Sequence, residues 1–263
     1  MNILDTILEH KKQELVLAKR VLPADQLEDM ANYSRQCLSL QKALSNKEIS
    51  VIAEMKKASP SKKIILEDFH PLQIAREYVA GGASALSVLT DKKYFQGDIR
   101  FIADIRSSVP IPILRKDFII DSYQLTEAKA FGADAVLLIA AALRPELLRD
   151  LYNEANALGL ECLVEVHTLQ ELNILNIIPA TVIGINNRNL ANFHVDISTT
   201  IRVASRIPKE ITIVSESGIT TRADIDSLTK HGIHAFLIGE TLMRAQNPAE
   251  TLRALLTAKA RSI

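Results

Sequence analysis

From about residue 49 onward, the chain alternates short hydrophobic runs with longer stretches in which hydrophobic positions recur at helical spacing. The short runs are apolar throughout instead of alternating with polar positions, which is typical of strands covered on both faces. They predict strands at 50–56, 85–89, 111–114, 135–139, 161–166, 181–185, 211–214 and 235–238. The longer stretches predict helices at 71–80, 99–107, 122–131, 145–158, 168–175, 198–206, 222–230 and 248–260.

Several predicted helices carry the residues that begin or end helices. Asp121 stands where an N-cap is expected, and Pro145 stands at a first helical position. Gly82, Gly132 and Gly159 follow predicted helices, as C-capping glycines do. The boundaries of the repeating units are therefore marked independently of the hydrophobic pattern.

Two further helices are predicted before the first strand, over residues 3–20 and 34–44. Asp5 lies near the start of the first, where the helix dipole favours an anion. Because both precede the repeating pattern, residues 1–48 are interpreted as a helical extension of the domain that follows.

Eight strand-then-helix units after residue 48 match the size and order of a (β/α)8 TIM barrel, an α/β fold. A doubly wound open sheet is the rival architecture, but no Gly-x-Gly-x-x-Gly motif follows the first strand. No low-complexity linker interrupts the chain. We therefore expect one barrel domain over residues 1–263, with the N-terminal helical extension as part of it.

Composition narrows the class of protein. The formal net charge is zero and tryptophan is absent, which argues against a nucleic-acid-binding surface. No apolar run reaches the length of a membrane span, and residues 1–5 lack the basic-then-apolar order expected of a signal peptide. Cys37 and Cys162 are far apart, without metal-ligand spacing. We expect a cytoplasmic protein with two reduced thiols and no bound metal.

In TIM barrels the chemistry lies at the carboxyl ends of the strands, so the charged strand ends are candidate functional residues. Lys116 follows a buried run between Arg115 and Asp117. Burial favours its neutral form, and the two neighbours are expected to pull its pKa in opposite directions. The other polar strand ends are Glu54, Lys56, Thr90, Asp91, Glu165, Asn186 and Glu216.

Each of these residues also fits a structural role, such as an ion pair between neighbouring strands. Together they fit that role less well, because buried ion pairs contribute little net stability. Glu54 and Lys56 are two positions apart, so both are expected to point into the barrel.

Glycines after the last two strands predict a phosphate site. Ser217 and Gly218 follow the seventh strand, and Gly239 follows the eighth. TIM barrels commonly bind phosphate at these loops through backbone N–H groups. Lys56, across the barrel mouth, is a candidate counter-charge.

Six motifs in register resemble those of the indole-3-glycerol phosphate synthase family. They are IAEMKKASPS (52–61), TD with YFQG (90–97), LRKDF (114–118), LVEVH (163–167), GINNRNL (184–190) and SESGI (215–219). The resemblance covers nearly the whole chain, including the N-terminal helices. It implies ring closure of 1-(o-carboxyphenylamino)-1-deoxyribulose 5-phosphate, with loss of carbon dioxide and water and without a cofactor, in tryptophan biosynthesis.

The resemblance also implies roles for individual residues. Lys116 is the general acid for the ketone, Glu165 and Glu54 serve the dehydration, and Asn186 and Glu216 orient and polarise. Lys56 holds phosphate or carboxylate or shares the acid role, and Arg188 binds the substrate carboxylate. The implied substrate- and phosphate-binding residues are Lys56, Ser59, Arg188, Ser217, Gly218, Gly239 and Glu240. The implied walls of the aryl pocket are Pro60, Phe95, Phe118, Leu137 and Leu190.

Two positions bear on these expectations. The family commonly has glycine where this chain has Lys63, in a loop expected to cover the site. Glu240 fits the family, but a carboxylate repels phosphate. We expect its side chain to point away so that only its backbone N–H binds.

Other functions are weighed beside the synthase. Phosphoribosylanthranilate isomerase would need a cysteine at the end of the first strand, where none stands. A Schiff-base aldolase could use Lys116, and a non-catalytic barrel could bind a phosphorylated metabolite. The expected partner is a small phosphorylated substrate, without nucleic acid or membrane, and the expected assembly is a monomer or weak homo-oligomer.

Overall fold

The computed structural model describes residues 3–45, 47–60, 63–189 and 193–257, and among them eight parallel strands form a closed barrel. Each strand pairs with the next, and the last pairs with the first, with Ser50 opposite Ala235. The strands are β1 Ser50–Met55, β2 Ala85–Leu89, β3 Ile113–Lys116, β4 Ala135–Ile139, β5 Glu161–Val166, β6 Val182–Asn186, β7 Thr212–Glu216 and β8 Ala235–Ile238. The predicted (β/α)8 TIM barrel is confirmed.

Helices surround the barrel and precede it. They are α1 Ile3–Val21, α2 Ala24–Glu28, α3 Leu40–Ser45, α4 Pro71–Gly81, α5 Lys92–Phe95, α6 Arg100–Arg106, α7 Tyr123–Phe131, α8 Pro145–Ala157, α9 Ser198–Ala204, α10 Arg222–Thr229, α11 Glu240–Met243 and α12 Pro248–Leu256. Gly82 and Gly132 end α4 and α7 with left-handed φ values of 97° and 96°, which glycine adopts without strain. The side chain of Asp121 accepts the backbone N–H of Tyr123 at 2.9 Å, but the N-cap of α7 is Ser122, one residue later than predicted, and its own side chain makes no capping hydrogen bond.

Two predicted helices differ in the structure. The crossover after β5 is a 3-10 helix over Gln170–Asn176 instead of an α-helix. Of the predicted helix at 34–44, only Leu40–Ser45 is helical, while the short helix Ala24–Glu28 was not predicted. A distant carboxylate accounts for the non-helical residues before Leu40, because Asp134 accepts the backbone N–H of Leu38 at 2.8 Å and holds it outside a helix.

The hydrophobic core has two layers. The inner layer fills the barrel with side chains from alternate positions of the strands, among them Ile52, Leu114, Leu163 and Val214. Leu40 and Leu44 of α3 close the amino-terminal end of this layer. The outer layer lies between the strands and the surrounding helices. Since strands covered on both faces are apolar throughout, the two layers account for the uninterrupted runs in the sequence.

The first helix extends to the opposite end of the barrel. Leu15 of α1 packs with Leu27 of α2 and with Tyr123 and Ala130 of α7. The amino-terminal residues of α1, Ile3, Leu4 and Ile7, line the cavity at the carboxyl ends of the strands. The described part of the extension therefore closes one end of the barrel with α3 and borders the other with α1.

Candidate active site

One cavity of about 550 Å³ lies at the carboxyl ends of the strands. It brings together every catalytic, substrate-binding and aryl-pocket residue that the family resemblance implies and that lies in the described part of the chain. These are Glu54, Lys56, Ser59, Pro60, Phe95, Lys116, Phe118, Leu137, Glu165, Asn186, Arg188, Glu216, Ser217, Gly218, Gly239 and Glu240. Leu190 lies outside the described residues.

Lys116 stands at the centre of the cavity's charged groups. Its Nζ lies 2.8 Å from Glu165 Oε2 on β5 and 3.2 Å from Glu216 Oε2 on β7. Burial alone lowers the pKa of this ammonium, but the charges of the two glutamates and of Glu54 outweigh burial and raise it. Lys116 is therefore charged in the substrate-free site.

The expectation that Arg115 and Asp117 act on Lys116 was wrong. Arg115 lies outside the barrel, where it binds Glu127 at 2.7 Å and Asp117 at 3.1 Å. Because adjacent side chains on a strand point to opposite faces, the inward direction of Lys116 sends Arg115 outward. The charges beside Lys116 come from other strands.

Glu165 and Glu216 differ in their partners, and their pKa values separate accordingly. Burial raises the pKa of both carboxyls. Glu165 accepts hydrogen bonds from Lys116 and from Asn186 Nδ2 (3.2 Å), and the charges of Lys116 and His167 lower its pKa below the usual range. Glu216 Oε1 has no hydrogen-bond partner among the described residues, and the negative charge of Glu165 helps to raise the pKa of Glu216. Glu165 is the carboxylate of the pair, and Glu216 is the one that takes a proton more readily.

Two glycines make room for these acids. A Cβ built at Gly184 would overlap Glu216 Oε1, and one built at Gly239 would overlap Glu54 Oε1. Lys56 Nζ donates to Glu54 Oε1 at 2.6 Å, so both side chains point inward as predicted. Gly184 and Gly239 therefore position the acids by providing the space that the carboxylates fill.

The loops after β7 and β8 form the part of the cavity expected to bind phosphate. Ser217 and Gly218 have left-handed φ values of 66° and 83°. A non-glycine residue in this region carries strain, which is typical of ligand-binding loops. Glu240 Oε1 accepts from Arg244 Nε at 3.0 Å, one helical turn further on. Arg244 also lines the cavity and was not predicted, although it follows the eighth strand closely.

The opposite wall is apolar. Phe95 and Phe118 lie with ring centroids 6.1 Å apart, and Pro60 and Leu137 line the same cavity. Sequence reasoning missed further cavity-lining residues, namely Ile3, Leu4, Ile7 and Phe193. The apolar spacing of α1 was recognised, but nothing in it indicated which surface the helix covers.

Thr90 and Asp91, which directly follow β2, belong to a buried ion network beside the cavity. Asp91 Oδ2 lies 2.9 Å from Lys11 Nζ of α1, and Lys11 Nζ also lies 3.0 Å from Asp117 Oδ1. Thr90 donates to Asp117 at 2.6 Å, and Asp91 accepts the backbone N–H of Tyr94 at 2.8 Å. These strand ends anchor α1 and α5 at the barrel mouth.

Lys63 lies in the second strand of a small hairpin, where Ala58–Ser59 pairs with Lys63–Ile64. Its φ is 55°, in the left-handed region that favours glycine. A glycine would adopt this backbone conformation without strain, which gives a physical reason for the glycine expected at this position.

His167 completes the polar groups around Glu165. Its Nε2 lies 3.2 Å from Glu165 Oε1, an ion-pair distance without well-aligned hydrogen-bond geometry. On its other side, Glu171 Oε2 accepts the His167 backbone N–H at 2.7 Å and lies 3.4 Å from Nδ1. His167 was visible in the sequence as the end of the fifth-strand motif, but no role followed from it.

Two searches of the described residues complete the survey. Within residues 3–45, 47–60, 63–189 and 193–257, no cluster of histidine, cysteine, aspartate and glutamate is arranged to hold a metal ion. No helix in those same ranges is long and apolar enough to cross a membrane.

Comparison with solved structures confirms the fold. A thiamine phosphate pyrophosphorylase from Pyrococcus furiosus matches with a TM-score of 0.59 at 16% identity, covering 82% of this chain and 96% of its own. A 3-hexulose-6-phosphate synthase from Salmonella typhimurium matches with a TM-score of 0.59 at 13% identity, covering 79% and 96%. At such low identity, the likeness shows the barrel architecture alone.

Comparison by sequence is more specific. The family model for indole-3-glycerol phosphate synthase matches residues 4–255. The indole-3-glycerol phosphate synthase of Burkholderia ambifaria is 46% identical over 255 residues, which cover 95% of this chain and 97% of the relative. The enzyme of that name from Burkholderia cenocepacia is 45% identical over the same lengths. This chain therefore belongs to the indole-3-glycerol phosphate synthase family, the carboxy-lyases that act in tryptophan biosynthesis.

Proposed function

We propose that the protein closes the indole ring of 1-(o-carboxyphenylamino)-1-deoxyribulose 5-phosphate, releasing carbon dioxide and water, with Lys116 as the general acid. The observation that carries this proposal is the position of Lys116 Nζ, which lies 2.8 Å from Glu165 and 3.2 Å from Glu216 in a cavity with one apolar and one polar wall. A charged acid and a carboxylate base at hydrogen-bond distance suit successive proton transfers on one substrate.

In the first step, the aryl carbon attacks the ketone and Lys116 gives its proton to the developing alkoxide. A positioned ammonium stabilises that charge, and the Lys116 side chain is only 13% exposed, so water weakens the interaction little. The raised pKa of Lys116 keeps it in the required protonated form. Loss of carbon dioxide then restores the aromatic ring.

Dehydration needs a proton delivered to the departing hydroxyl and a proton removed from the carbon beside the ring nitrogen. Glu165 and Glu54 serve these transfers, both being buried against cationic lysines. Glu216 takes up a proton more readily than Glu165 and, with Asn186, orients the reacting groups. Groups of this kind typically contribute factors of about 10² to 10⁴ in rate.

The remaining groups hold the two ends of a flexible molecule together. The backbone at Ser217, Gly218, Gly239 and Glu240 binds phosphate with Lys56 and Ser59, while Arg188 binds the carboxylate. The aryl ring lies against Pro60, Phe95, Phe118, Leu137 and Leu190. Fixing both ends brings the aryl carbon to the ketone and removes much of the entropic barrier. The Glu240–Arg244 ion pair agrees with a phosphate site in which the Glu240 carboxylate takes no part.

The charged state of Lys116 weighs against a Schiff-base aldolase. A lysine nucleophile needs a neutral amine, which desolvation or a cationic neighbour provides. Here the neighbours are carboxylates, which favour the ammonium. We further propose that the protein acts on its small phosphorylated substrate in the cytoplasm, as a monomer or weak homo-oligomer. Sedimentation across a range of protein concentrations tests the assembly state.

The experiment is indole fluorescence after mixing the pure protein with the substrate, without added metal or cofactor. Since the chain has no tryptophan, product emission is observed against a weak tyrosine background. We expect a rise with wild type and with Lys12→Ala, a control at an exposed lysine. The rise should be absent with Lys116→Ala. Folded wild-type protein that gives no rise would overturn the proposed function, and a rise with Lys116→Ala would move the acid role to Lys56.

A further inference from the structure

Asn187 stands between two residues of the proposed site, yet its own side chain points away from the cavity. Asn186 faces inward and donates to Glu165, and adjacent side chains alternate between the two faces of a strand. The Asn187 side chain therefore lies behind the strands, and the residue is only 3% exposed. A buried amide in this position needs partners for both of its polar atoms.

The amide of Asn187 forms a closed ring of hydrogen bonds with two buried hydroxyls. Its Nδ2 donates to Ser215 Oγ at 3.1 Å, and its Oδ1 accepts from Thr200 Oγ1 at 2.8 Å. The two hydroxyl oxygens lie 2.8 Å apart, so Ser215 donates to Thr200 and closes the ring. The backbone N–H of Thr200, on α9, also donates to Asn187 Oδ1 at 3.1 Å. Because bonds that follow one another in this way polarise each other, the ring holds the amide rigidly.

The second amide hydrogen of Asn187 reaches the loop after β7. Nδ2 donates it to the backbone carbonyl of Ser217 at 3.0 Å. The ring fixes which way the amide faces, because the reverse orientation would bring Oδ1 against the Ser217 carbonyl and Nδ2 against the Thr200 N–H. An ionised aspartate would offer Ser217 no donor. Asparagine therefore satisfies two acceptors and two donors at once.

The bond to Ser217 matters because the backbone of Ser217 is strained. Its φ of 66° is left-handed, and a residue with a side chain keeps such a conformation only where its surroundings hold it. The peptide bond between Ser217 and Gly218 is trans, so its C=O and N–H point in opposite directions. With the carbonyl held behind the strands by Asn187, the Gly218 N–H points to the opposite side, where Gly218 lines the cavity.

Two further contacts join the loops after β6 and β7. The backbone N–H of Asn187 donates to the carbonyl of Glu216 at 2.9 Å. A Cβ built at Gly218 would overlap Val195, so the glycine lets the two loops lie against each other. The position of the β7 loop therefore depends on the loop that also carries Arg188.

We propose that Asn187 is a positioning residue that holds the loop at Ser217 and Gly218 in the conformation that binds the substrate phosphate. This inference rests on the proposed function, which assigns phosphate to that loop. A residue that only orients a binding loop acts alike on the bound substrate and the transition state, so its loss raises KM at nearly constant kcat. The same loss weakens the binding of inorganic phosphate, which is measured without turnover.

The test replaces Asn187 with leucine, which has a similar shape but neither donates nor accepts a hydrogen bond. Steady-state kinetics give KM and kcat, and phosphorus NMR titration gives the dissociation constant of inorganic phosphate. We expect Asn187→Leu to raise KM and that dissociation constant about tenfold, as loss of a buried hydrogen bond does, and to leave kcat within about twofold. Asn153→Leu, at an exposed asparagine of α8, is the matched control and should behave as wild type.

Thr200→Val separates positioning from a general loss of stability. It removes one hydroxyl from the ring but keeps the direct bond from Asn187 to Ser217. Denaturant unfolding should therefore show both Thr200→Val and Asn187→Leu to be less stable than wild type. The phosphate dissociation constant of Thr200→Val should rise by only about threefold or less.

Two results would overturn the role of Asn187. One is wild-type KM and phosphate affinity in folded Asn187→Leu, and the other is an equal loss of phosphate affinity in Asn187→Leu and Thr200→Val. If Asn187→Leu does not fold, Asn187→Ser takes its place, because the serine hydroxyl is one atom shorter than the amide and does not reach Ser217. Wild type is assayed first, so failure of the proposed function appears as no turnover at all, whereas failure of this inference leaves wild-type turnover intact.

Discussion

Replacing Lys11 with methionine should remove the main anchor of α1. The Lys11 side chain is 2% exposed and lies 2.9 Å from Asp91 and 3.0 Å from Asp117. Methionine preserves the length of the side chain but leaves two buried carboxylates without their shared cation. Asp117 keeps Arg115 as a partner, whereas the Asp91 carboxylate loses its cation. Breaking a buried ion pair on one side costs about 3 to 5 kcal/mol.

Denaturant unfolding followed by far-ultraviolet circular dichroism measures this loss. Lys12→Met is the matched control, since Lys12 is the next residue and forms an exposed pair with Glu9. Exposed pairs contribute little, so the control should lose less than about 1 kcal/mol. Because α1 also supplies Ile3, Leu4 and Ile7 to the cavity, Lys11→Met should raise KM as well.

The loss should depend on pH. Burial raises the pKa of Asp117, but the charges of Lys11 and Arg115 outweigh burial and lower it to about 2. A lowered carboxyl pKa contributes stability that is fully present above the unfolded pKa and is lost as the pH falls toward 2. For Asp117 this contribution is about 2 kcal/mol. The difference in the free energy of unfolding between wild type and Lys11→Met should therefore become smaller below about pH 4. Equal stability of Lys11→Met and Lys12→Met at neutral pH would refute the reasoning.

Three further predictions concern the cavity and its loops. In Gly184→Ala the added carbon overlaps Glu216, so the free energy of unfolding should fall by about 1 to 3 kcal/mol and kcat should fall about tenfold or more. A kcat equal to that of wild type would show that the added carbon does not displace Glu216. Arg188→Lys removes the planar two-donor group that we propose binds the substrate carboxylate, so KM should rise about tenfold at nearly constant kcat. A fall in kcat alone would place Arg188 in the chemical step. Lys63→Gly removes the strain of a left-handed φ, so the free energy of unfolding, measured with denaturant, should rise by about 0.5 to 1 kcal/mol. A fall in that free energy would mean that the lysine side chain makes stabilising contacts.

The sequence was most informative where the repeat itself determines position. Strand ends of a parallel barrel meet at one mouth, so chain order alone brought Glu54, Lys116, Glu165 and Glu216 into one cavity. The sequence also contained the information that Arg115 points away from Lys116, because adjacent side chains alternate between the two faces of a strand.

Contacts made by the N-terminal extension could not be predicted in the same way. Lys11 stands between His10 and Lys12, a pattern typical of a solvated helix face, yet it is buried. Its burial depends on Asp91 and Asp117, which are distant in sequence and meet only after the barrel has formed. Residues 34–39 were misassigned for a similar reason, because their backbone is held by a distant carboxylate at Asp134 rather than by local preference.

The pairing of β1 with β8 has a consequence for how the protein matures. Glu54 and Lys56 lie at the carboxyl end of the first strand, and Gly239 directly follows the last. These residues therefore come into contact only after the first and last strands have paired. Long-range strand pairing of this kind forms slowly, whereas helices form early. During refolding, return of the dichroism signal should therefore precede return of turnover, and the interval between them would time the closure of the barrel.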